Sequence, residues 1–378
     1  MIKTRSPKLA VSLALGALLL CAPLQAQRTP SLDEQRPLVE ITKEQEEAVK
    51  RGLRWLADHQ QENGSWLADV GYKLNDNYRW TAQDKPHVGV TALAGMAFLA
   101  GGHLPGRGEY AKTVDRCLDF VLSCVNDDGY ITFAGTRMYS HAFATLFLAE
   151  IYGMTHREDV RERLQRAVDF IVKSQNDQGG WRYVPLARAS DMSIVVCQVL
   201  ALRAARNIGI RVSKTTIDRA IEYVVDSAVT EGSQRSMRGY RSDTIGTFHY
   251  QRDDKSRSNF ALTAAGVTAL HGLGVYSSEL IEAGVRSLQQ GVDRFNQTRG
   301  NQGHYFFWYG HYYGVQAMYT VGGHHWQRYF TSLRSFLLKL QKSDGSWPNR
   351  EGPGVAFGTA MGCLILEIPY SYLPIFQR

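Results

Sequence analysis

Residues 175–181 read QNDQGGW, and the same spacing of glutamine, glycine and tryptophan recurs as QQENGSW at 60–66 and as QKSDGSW at 341–347. The shared positions are Gln60, Gly64, Trp66, Gln175, Gly179, Trp181, Gln341, Gly345 and Trp347. The tryptophans are 115 and 166 residues apart, which is two and three periods of about 56 residues. A motif that returns at a fixed period is the signature of a repeat architecture. A degenerate copy, VNDDGY, occupies 125–130, and two more copies are expected near residues 236 and 292, where the motif letters are missing.

Each period contains two helical patterns of different character. The pattern before the motif is amphipathic, as in Val49, Leu53, Leu56 and Ala57, and this stripe is typical of a helix with one face in water. The pattern after it is apolar nearly all round, as in 88–100, 142–153, 260–274 and 357–368, and this is typical of a helix buried on every side. The sequence therefore predicts an all-α fold. We expect a six-hairpin (α/α)6 toroid with inner and outer helix rings, formed by residues 45–378 as one domain.

The motif residues suit the junctions of such a ring. Glycine permits a tight turn, tryptophan is a large rigid wedge between repeats, and the glutamine amide can bond to backbone groups at a helix end. We therefore assign all nine motif residues a structural role.

Composition excludes several classes of protein. The chain has 378 residues, of which 44% are hydrophobic and 21% charged, so it can bury a large core and is neither disordered nor a polytopic membrane protein. The formal charge is +7, but the basic residues are scattered. We therefore expect no nucleic-acid partner.

The first 26 residues have the three parts of a secretory signal peptide. Lys3, Arg5 and Lys8 precede an uncharged run at 9–20, and Ala26 offers a cleavage site. We predict a signal peptide at 1–26, a polar lead-in at 27–44, export to the periplasm or medium, and no membrane span after cleavage. Cys21 leaves a lipoprotein as an alternative. The other four cysteines lie in apolar helical patterns and are expected to be buried free thiols.

The Gln-x-x-x-Gly-x-Trp motif resembles the repeat of squalene cyclases and protein prenyltransferases, the α/α-toroid superfamily. The stretches at 138–155, 179–185 and 312–326 are similar to exported bacterial proteins with prenyltransferase and squalene oxidase repeats. The resemblance covers about 45–378 and implies six helical hairpins around a central cavity. It implies little about activity.

The sequence departs from this superfamily at its chemical motifs. It lacks the Asp-x-Asp-Asp acid of class II terpene cyclases. Asp115 and Cys117 match part of the prenyltransferase zinc motif by letter, but they fall in an outer-helix pattern, where they would not converge on the cavity. We therefore predict no metal and no cofactor.

Polar and aromatic residues near the starts of the inner helices are the candidates for a site. His141 and Asp191 follow successive motif copies, and we hypothesise that they form a catalytic acid–base pair. Tyr139, Trp308, His311, Tyr312 and Tyr313 are predicted to line the cavity. Glu150 is expected to have a partner, His324 and His325 are expected to face solvent, and the polar segment 231–258 is either a lid or a solvated insertion.

Three functions stay open from the sequence. The first is a protein that binds an apolar ligand, a glycan or a protein partner without chemistry. The second is a divergent terpenoid or isoprenoid enzyme, and the third is a polysaccharide lyase or hydrolase. The lining of the ring's centre distinguishes them: a deep aromatic cavity favours isoprenoids, an open polar groove favours glycans, and a filled centre favours a scaffold.

Overall fold

A computed structural model describes residues 39–71, 80–230, 245–253, 258–297 and 304–376, and all of them belong to one compact unit. The predicted signal peptide, Cys21, most of the lead-in, and residues 231–244 and 254–257 of the polar segment lie outside the described residues.

In the described part of the chain, twelve α-helices form six consecutive hairpins. The outer helices are α1 (Lys43–Asp58), α3 (Ala111–Ser123), α5 (Glu158–Ser174), α7 (Lys214–Asp226), α9 (Glu279–Gln297) and α11 (Gly323–Leu340). The inner helices are α2 (Val88–Ala100), α4 (Met138–Thr155), α6 (Met192–Asn207), α8 (Phe260–Gly272), α10 (Tyr305–Val321) and α12 (Val355–Glu367). Two short strands, β1 (Leu67–Gly71) and β2 (Trp80–Pro86), pair antiparallel between the first motif and α2.

The inner helices close into a ring. Each packs against the next in chain order, and α12 packs back against α2. The helix α1 completes the closure because it also lies against α12. Every described residue of α2 is buried, whereas α1 buries one face only. The predicted six-hairpin toroid is therefore confirmed.

The three complete copies of the motif each tie a hairpin to a neighbouring outer helix. The side-chain amides of Gln60, Gln175 and Gln341 donate to backbone carbonyls of Thr113 in α3, Thr216 in α7 and Ala48 in α1, at 2.8–2.9 Å. The last of these bonds joins the sixth hairpin to the first. Each motif tryptophan is buried and donates its indole N–H to the carbonyl ten residues earlier, at Leu56, Ile171 and Leu337.

The motif glycines are required by both conformation and space. Gly64 has a φ of +87°, and a Cβ there would lie 2.0 Å from the Arg116 carbonyl oxygen in α3. Gly129 of the degenerate copy has a φ of +88° and meets the Arg166 carbonyl of α5 in the same way. A left-handed backbone pressed against the next outer helix admits glycine alone.

Between the copies at 175–181 and 341–347 the structure contains another copy of the motif, the fourth in chain order, in which the motif residues are replaced except for the glycine. Gly246 has a φ of +84° and abuts Ala283 of α9, and the buried Phe248 takes the place of tryptophan against Gly266 of α8. This copy lies about ten residues beyond the position near 236 that the period predicts. The position near 292 was wrong, because residue 292 lies inside α9.

Candidate functional site at the N-terminal end of the inner ring

Asp191 is the buried carboxylate around which the candidate site is built. It caps α6, where its Oδ1 accepts from the Ile194 N–H at 3.1 Å and from the Ser193 hydroxyl. Its Oδ2 is buried without a hydrogen-bond partner and lies 3.8 Å from Nη1 of Arg182, which is also unpartnered. Burial raises the pKa of Asp191 to about 6, opposed by the Ser193 hydrogen bond and the Arg182 charge.

Tyrosines surround this carboxylate. The half-buried Tyr139 of α4 donates to the Ser193 hydroxyl at 2.7 Å, and Tyr309 of α10 donates to the Ser193 carbonyl at 3.1 Å. Tyr183 and Tyr250, from the loops before α6 and α8, are hydrogen-bonded to each other through their hydroxyls. Burial raises the pKa of Tyr139 and of Tyr309 well above the ordinary phenol value, so both remain hydrogen-bond donors.

Arg182 covers the carboxylate from the solvent side. Its guanidinium lies 5.5 Å from the ring centre of Tyr183 and 5.9 Å from that of Tyr250, and its side chain keeps 28% exposure. Asp191, Arg182 and the four tyrosines are called the tyrosine mouth below. It lies at the N-terminal ends of α4, α6 and α10 and combines aromatic faces with one buried acid and one cation.

Aromatic side chains from opposite helices meet in the middle of the ring. The ring centres of Phe143 in α4 and Tyr312 in α10 are 6.3 Å apart, and those of Tyr139 and Tyr309 on the same helices are 6.4 Å apart. Tyr313 of α10 reaches Cys197 of α6, with 3.0 Å between hydroxyl and thiol. Since α4 and α10 stand across the ring from each other, these side chains fill the centre at this level.

The predicted pair of His141 and Asp191 is not formed. His141 Nδ1 accepts from the Ile131 N–H at 3.1 Å, and its ring packs on Phe170 of the outer helix α5. The imidazole therefore faces the outer ring. Burial lowers its pKa to about 3, so it is neutral near pH 7 and carries no proton to donate as an imidazolium.

Two other predicted lining residues also point away from the centre. His311 hydrogen-bonds to Tyr329 of α11 at 2.9 Å and to Asn296 of α9 at 2.7 Å, so it lies between inner and outer helices. Trp308 is fully buried and donates to the Pro348 carbonyl, in the loop before α12. Tyr139, Tyr312 and Tyr313 are the predicted lining residues that the structure brings to the centre or the mouth.

Tyr183, Tyr250, Tyr309 and Arg182 were missed by the sequence reasoning. Arg182 and Tyr183 directly follow the motif tryptophan Trp181, and this position was the available signal, because the loop after the motif leads to the start of an inner helix. Tyr250 follows the fourth motif copy by the same logic.

The sequence profile of the prenyltransferase alpha-alpha toroid domain matches residues 35–248, more than half of the chain. The chain belongs to this family. No curated protein sequence matches it.

Solved structures share the toroid at low sequence identity. An inactive variant of an alpha-1,6-mannanase from Salegentibacter, in complex with alpha-1,6-mannotriose, has a TM-score of 0.62 and 11% identity, and the match covers 85% of this chain and 98% of that one. A type II terpene cyclase from Scytonema, in complex with merosterolic acid A, has a TM-score of 0.54 and 14% identity over 86% and 97%. An unsaturated glucuronyl hydrolase specific for heparin has a TM-score of 0.56 and 11% identity over 87% and 98%. At these identities the likeness concerns the fold alone.

Asp115 and Cys117, which match part of the prenyltransferase zinc motif, do not come together in a metal site. Cys117 is buried and its thiol points to the Thr91 carbonyl at 3.4 Å, whereas Asp115 accepts from the Gly106 N–H. Among the described residues, no group of three or more His, Cys, Asp or Glu side chains could hold a metal ion. The four described cysteines are buried free thiols, as predicted: Cys117, Cys124, Cys197 and Cys363.

No helix within the described ranges is long and apolar enough to cross a membrane.

Proposed function

We propose that this protein is an exported member of the prenyltransferase toroid family that binds a hydroxyl-rich ligand, a glycan, at the tyrosine mouth. We propose that it does so without cyclase or prenyltransferase chemistry. The observation that carries the proposal is the ion pair of Asp191 Oδ2 and Arg182 Nη1, which are 3.8 Å apart and surrounded by tyrosines, and neither of which has a hydrogen-bond partner.

A hydroxyl group fits this pair by its hydrogen-bonding chemistry. It can donate to the Asp191 carboxylate and accept from the Arg182 guanidinium, which has donors only. Burying a polar atom without a hydrogen-bond partner costs free energy. A ligand that provides the missing partners therefore gains more binding free energy than the same hydrogen bond would give in water. Tyr183 and Tyr250 add aromatic faces and hydroxyls beside the pair, which is the usual make-up of a small-molecule site. Arg182, 28% exposed, is the member of the pair that solvent reaches, whereas the Asp191 side chain is fully buried.

The filled centre argues against an isoprenoid enzyme and favours a scaffold, which leaves the ends of the ring as the places for a ligand. Phe143 and Tyr312 stand where a chain folded inside the ring would have to lie. The solved toroids include proteins of both glycan and terpenoid chemistry, so their shared fold does not choose between the two. The polar mouth and the packed centre together favour a glycan held at one end of the ring.

Calorimetric titration with two oligosaccharides tests this proposal. The neutral probe is alpha-1,6-mannotriose, the ligand of the mannanase structure, and the acidic probe is an unsaturated heparin disaccharide. We expect one of them to bind and Arg182→Gln to weaken that binding about 10- to 100-fold, the effect of losing a charged hydrogen bond.

Arg188→Gln is the matched control, because Arg188 is an exposed arginine of the same loop. It should leave binding unchanged. An equal loss in both arginine variants would contradict the assignment of the mouth. Failure of both sugars to bind, together with recovery of a lipid from protein purified out of its native host, would refute the glycan proposal.

A glycoside hydrolase is the second candidate, and the state of Asp191 favours it. A buried carboxyl with a pKa near 6 is suited to be the general acid that protonates a leaving oxygen. Glycoside hydrolysis needs a second carboxylate, and Glu351 is the candidate because its carboxylate lies 3.3 Å from His304 Nε2, at the start of α10, and acts on Tyr305 together with Tyr183 of the mouth. Chromatography of the bound oligosaccharide after long incubation tests this: cleavage abolished by Asp191→Asn, with binding retained, would establish the hydrolase.

Export is a separate part of the proposal and rests on the charged start and the apolar run at 9–20. N-terminal sequencing of protein from its native host tests it. A mature chain beginning near Gln27 is expected, and Met1 retained on a cytoplasmic protein would refute it.

A further inference from the structure

The chain after α12 crosses the C-terminal end of the inner ring. A 3₁₀ turn at Ile368–Tyr370 lies against α10 and α12, and a second at Pro374–Phe376 lies against α4 and α6. In the order of the ring, α10 stands opposite α4 and α12 opposite α6. Residues 368–376, called the strap below, therefore run from one side of the ring to the other, at the end remote from the tyrosine mouth.

The strap is held by apolar contacts and by hydrogen bonds at Ser371 and Ile375. Leu373 is 1% exposed and Ile375 is 8% exposed, whereas Tyr372, the residue before Leu373, is 56% exposed. The Ser371 and Tyr319 hydroxyls are 2.6 Å apart, and the Ile375 N–H donates to Glu150 Oε2 over a long 3.4 Å. A short segment attached in this way can open at a lower free energy than the helices it covers.

A pivot separates the two turns of the strap. Ser371 has a φ of +56° and a ψ of +26°, the left-handed region that non-glycine residues rarely adopt. Such a conformation is kept only where the surrounding contacts impose it. Ser371 therefore marks the bend between the two turns, next to Ile368, which is fully buried on α12.

Glu150 is the carboxyl that the strap contacts directly; a second buried carboxyl, Glu367, ends α12 next to the strap, and burial raises its pKa as well. Glu150 lies near the end of α4 with 1% exposure. The groups interacting with its carboxyl are the Ile375 N–H from the strap and the Tyr312 phenol from α10, and no cation of the described residues is among them. Burial raises its pKa to about 8, and the Ile375 hydrogen bond opposes this rise.

We propose that residues 371–376 are a hinged lid over the C-terminal end of the inner ring, and that loss of the Glu150 proton releases the lid while the toroid stays folded. With the lid closed, a charged Glu150 is held out of water beside a single N–H. With the lid open, the carboxylate is hydrated. The lid thus gives a second, gated access to the packed centre of the ring, opposite the tyrosine mouth.

The sign of the pH dependence follows from the two states of Glu150. Its pKa is about 8 under the closed lid and returns toward the ordinary 4.5 once solvated. The stabilisation of the closed lid is complete below pH 4.5 and is lost as the pH rises to 8. Between pH 6 and pH 8.5 the opening equilibrium should therefore rise by up to about 80-fold.

Thiol labelling of two adjacent positions measures the lid directly. Leu373→Cys places a thiol under the closed lid, and Tyr372→Cys places one on its exposed side. The four cysteines of the toroid are buried and do not compete. The ratio of the two maleimide rates cancels the effect of pH on thiol reactivity. We expect this ratio to rise at least 10-fold from pH 6 to pH 8.5, and to stay constant when Glu150→Gln is added.

Three results would overturn the proposal: a ratio independent of pH, the same rise in the Glu150→Gln background, or a rise that accompanies loss of helical circular dichroism. Hydrogen–deuterium exchange of the unmodified protein decides the matter if the cysteine variants fold poorly. After correction for intrinsic rates, exchange of the strap amides should increase with pH while that of the α11 amides does not.

Discussion

Replacing Trp347 by alanine should destabilise the toroid at the point where its ring closes. The indole is fully buried, donates to the Leu337 carbonyl at 2.9 Å, and packs on Gly52 of α1 and Gly362 of α12. Burying about 200 Å² of such a side chain is worth about 5 kcal/mol, and the lost hydrogen bond adds about 1 kcal/mol. Partial relaxation of the cavity leaves an expected loss of about 3–5 kcal/mol in the free energy of unfolding.

Chemical denaturation and calorimetry measure this loss. With an unfolding entropy of about 2.1 cal/mol/K per residue, this loss corresponds to a fall of roughly 4–7 °C in melting temperature. Trp347→Phe keeps most of the apolar contact and should lose about 1–3 kcal/mol, because the Leu337 carbonyl remains unpaired. Trp80→Ala is the control, since Trp80 is 55% exposed and should change stability by less than about 0.5 kcal/mol. Equal effects at Trp347 and Trp80 would refute the structural role of the motif.

Three further predictions concern the hidden motif, the mouth and the centre. Gly246→Ala should cost about 2 kcal/mol more of unfolding free energy than Gly209→Ala. Both glycines have a φ near +84°, but only a Cβ at residue 246 would meet backbone, 2.4 Å from the Ala283 carbonyl carbon. Denaturation curves that coincide for the two variants would contradict this. Asp191→Asn should gain stability relative to the parent by about 2.4 kcal/mol between pH 4 and pH 7, because the raised pKa of Asp191 penalises the folded state as that carboxyl ionises. A flat difference in urea titrations would disprove it. Tyr312→Ala should lower the unfolding free energy by about 3–5 kcal/mol, as for a large buried ring, and an unchanged denaturation midpoint would show that the centre is not packed.

The sequence predicted the architecture because the features that form the toroid recur periodically along the chain. The all-round apolar pattern at 88–100 became the buried helix α2, and the amphipathic stripe of Val49 and Leu53 became the half-buried α1. The motif tryptophans predicted the junctions for the same reason, since a buried indole and a left-handed glycine restrict which residues are possible. The fourth copy escaped notice because Phe248 fills the same space as tryptophan, and letters alone do not show this.

The candidate site was predicted less well, because a helical period does not fix which way a polar side chain turns. His141 and Asp191 both stand near the starts of inner helices, but the first points to α5 and the second caps α6 among the tyrosines. His311 was misplaced for the same reason, since its two hydrogen bonds draw it outward to α9 and α11. Arg182 and Tyr250 lie in loops, whose conformation no periodicity describes.

The way the ring is closed explains why its centre can be filled. In this toroid the hairpins are fixed to one another at the outer ring, through the glutamine amides, the glycine turns and the buried indoles, and Gln341 carries the same bond around to Ala48 of α1. The inner helices are therefore held in place without depending on a ligand between them. Tyr312 and Phe143 can then pack against each other across the axis, and ligand recognition moves to the ends of the ring. Both ends bury polar atoms without hydrogen-bond partners: Asp191 Oδ2 and Arg182 Nη1 at one end, and the two carboxylate oxygens of Glu367, where α12 meets the strap, at the other.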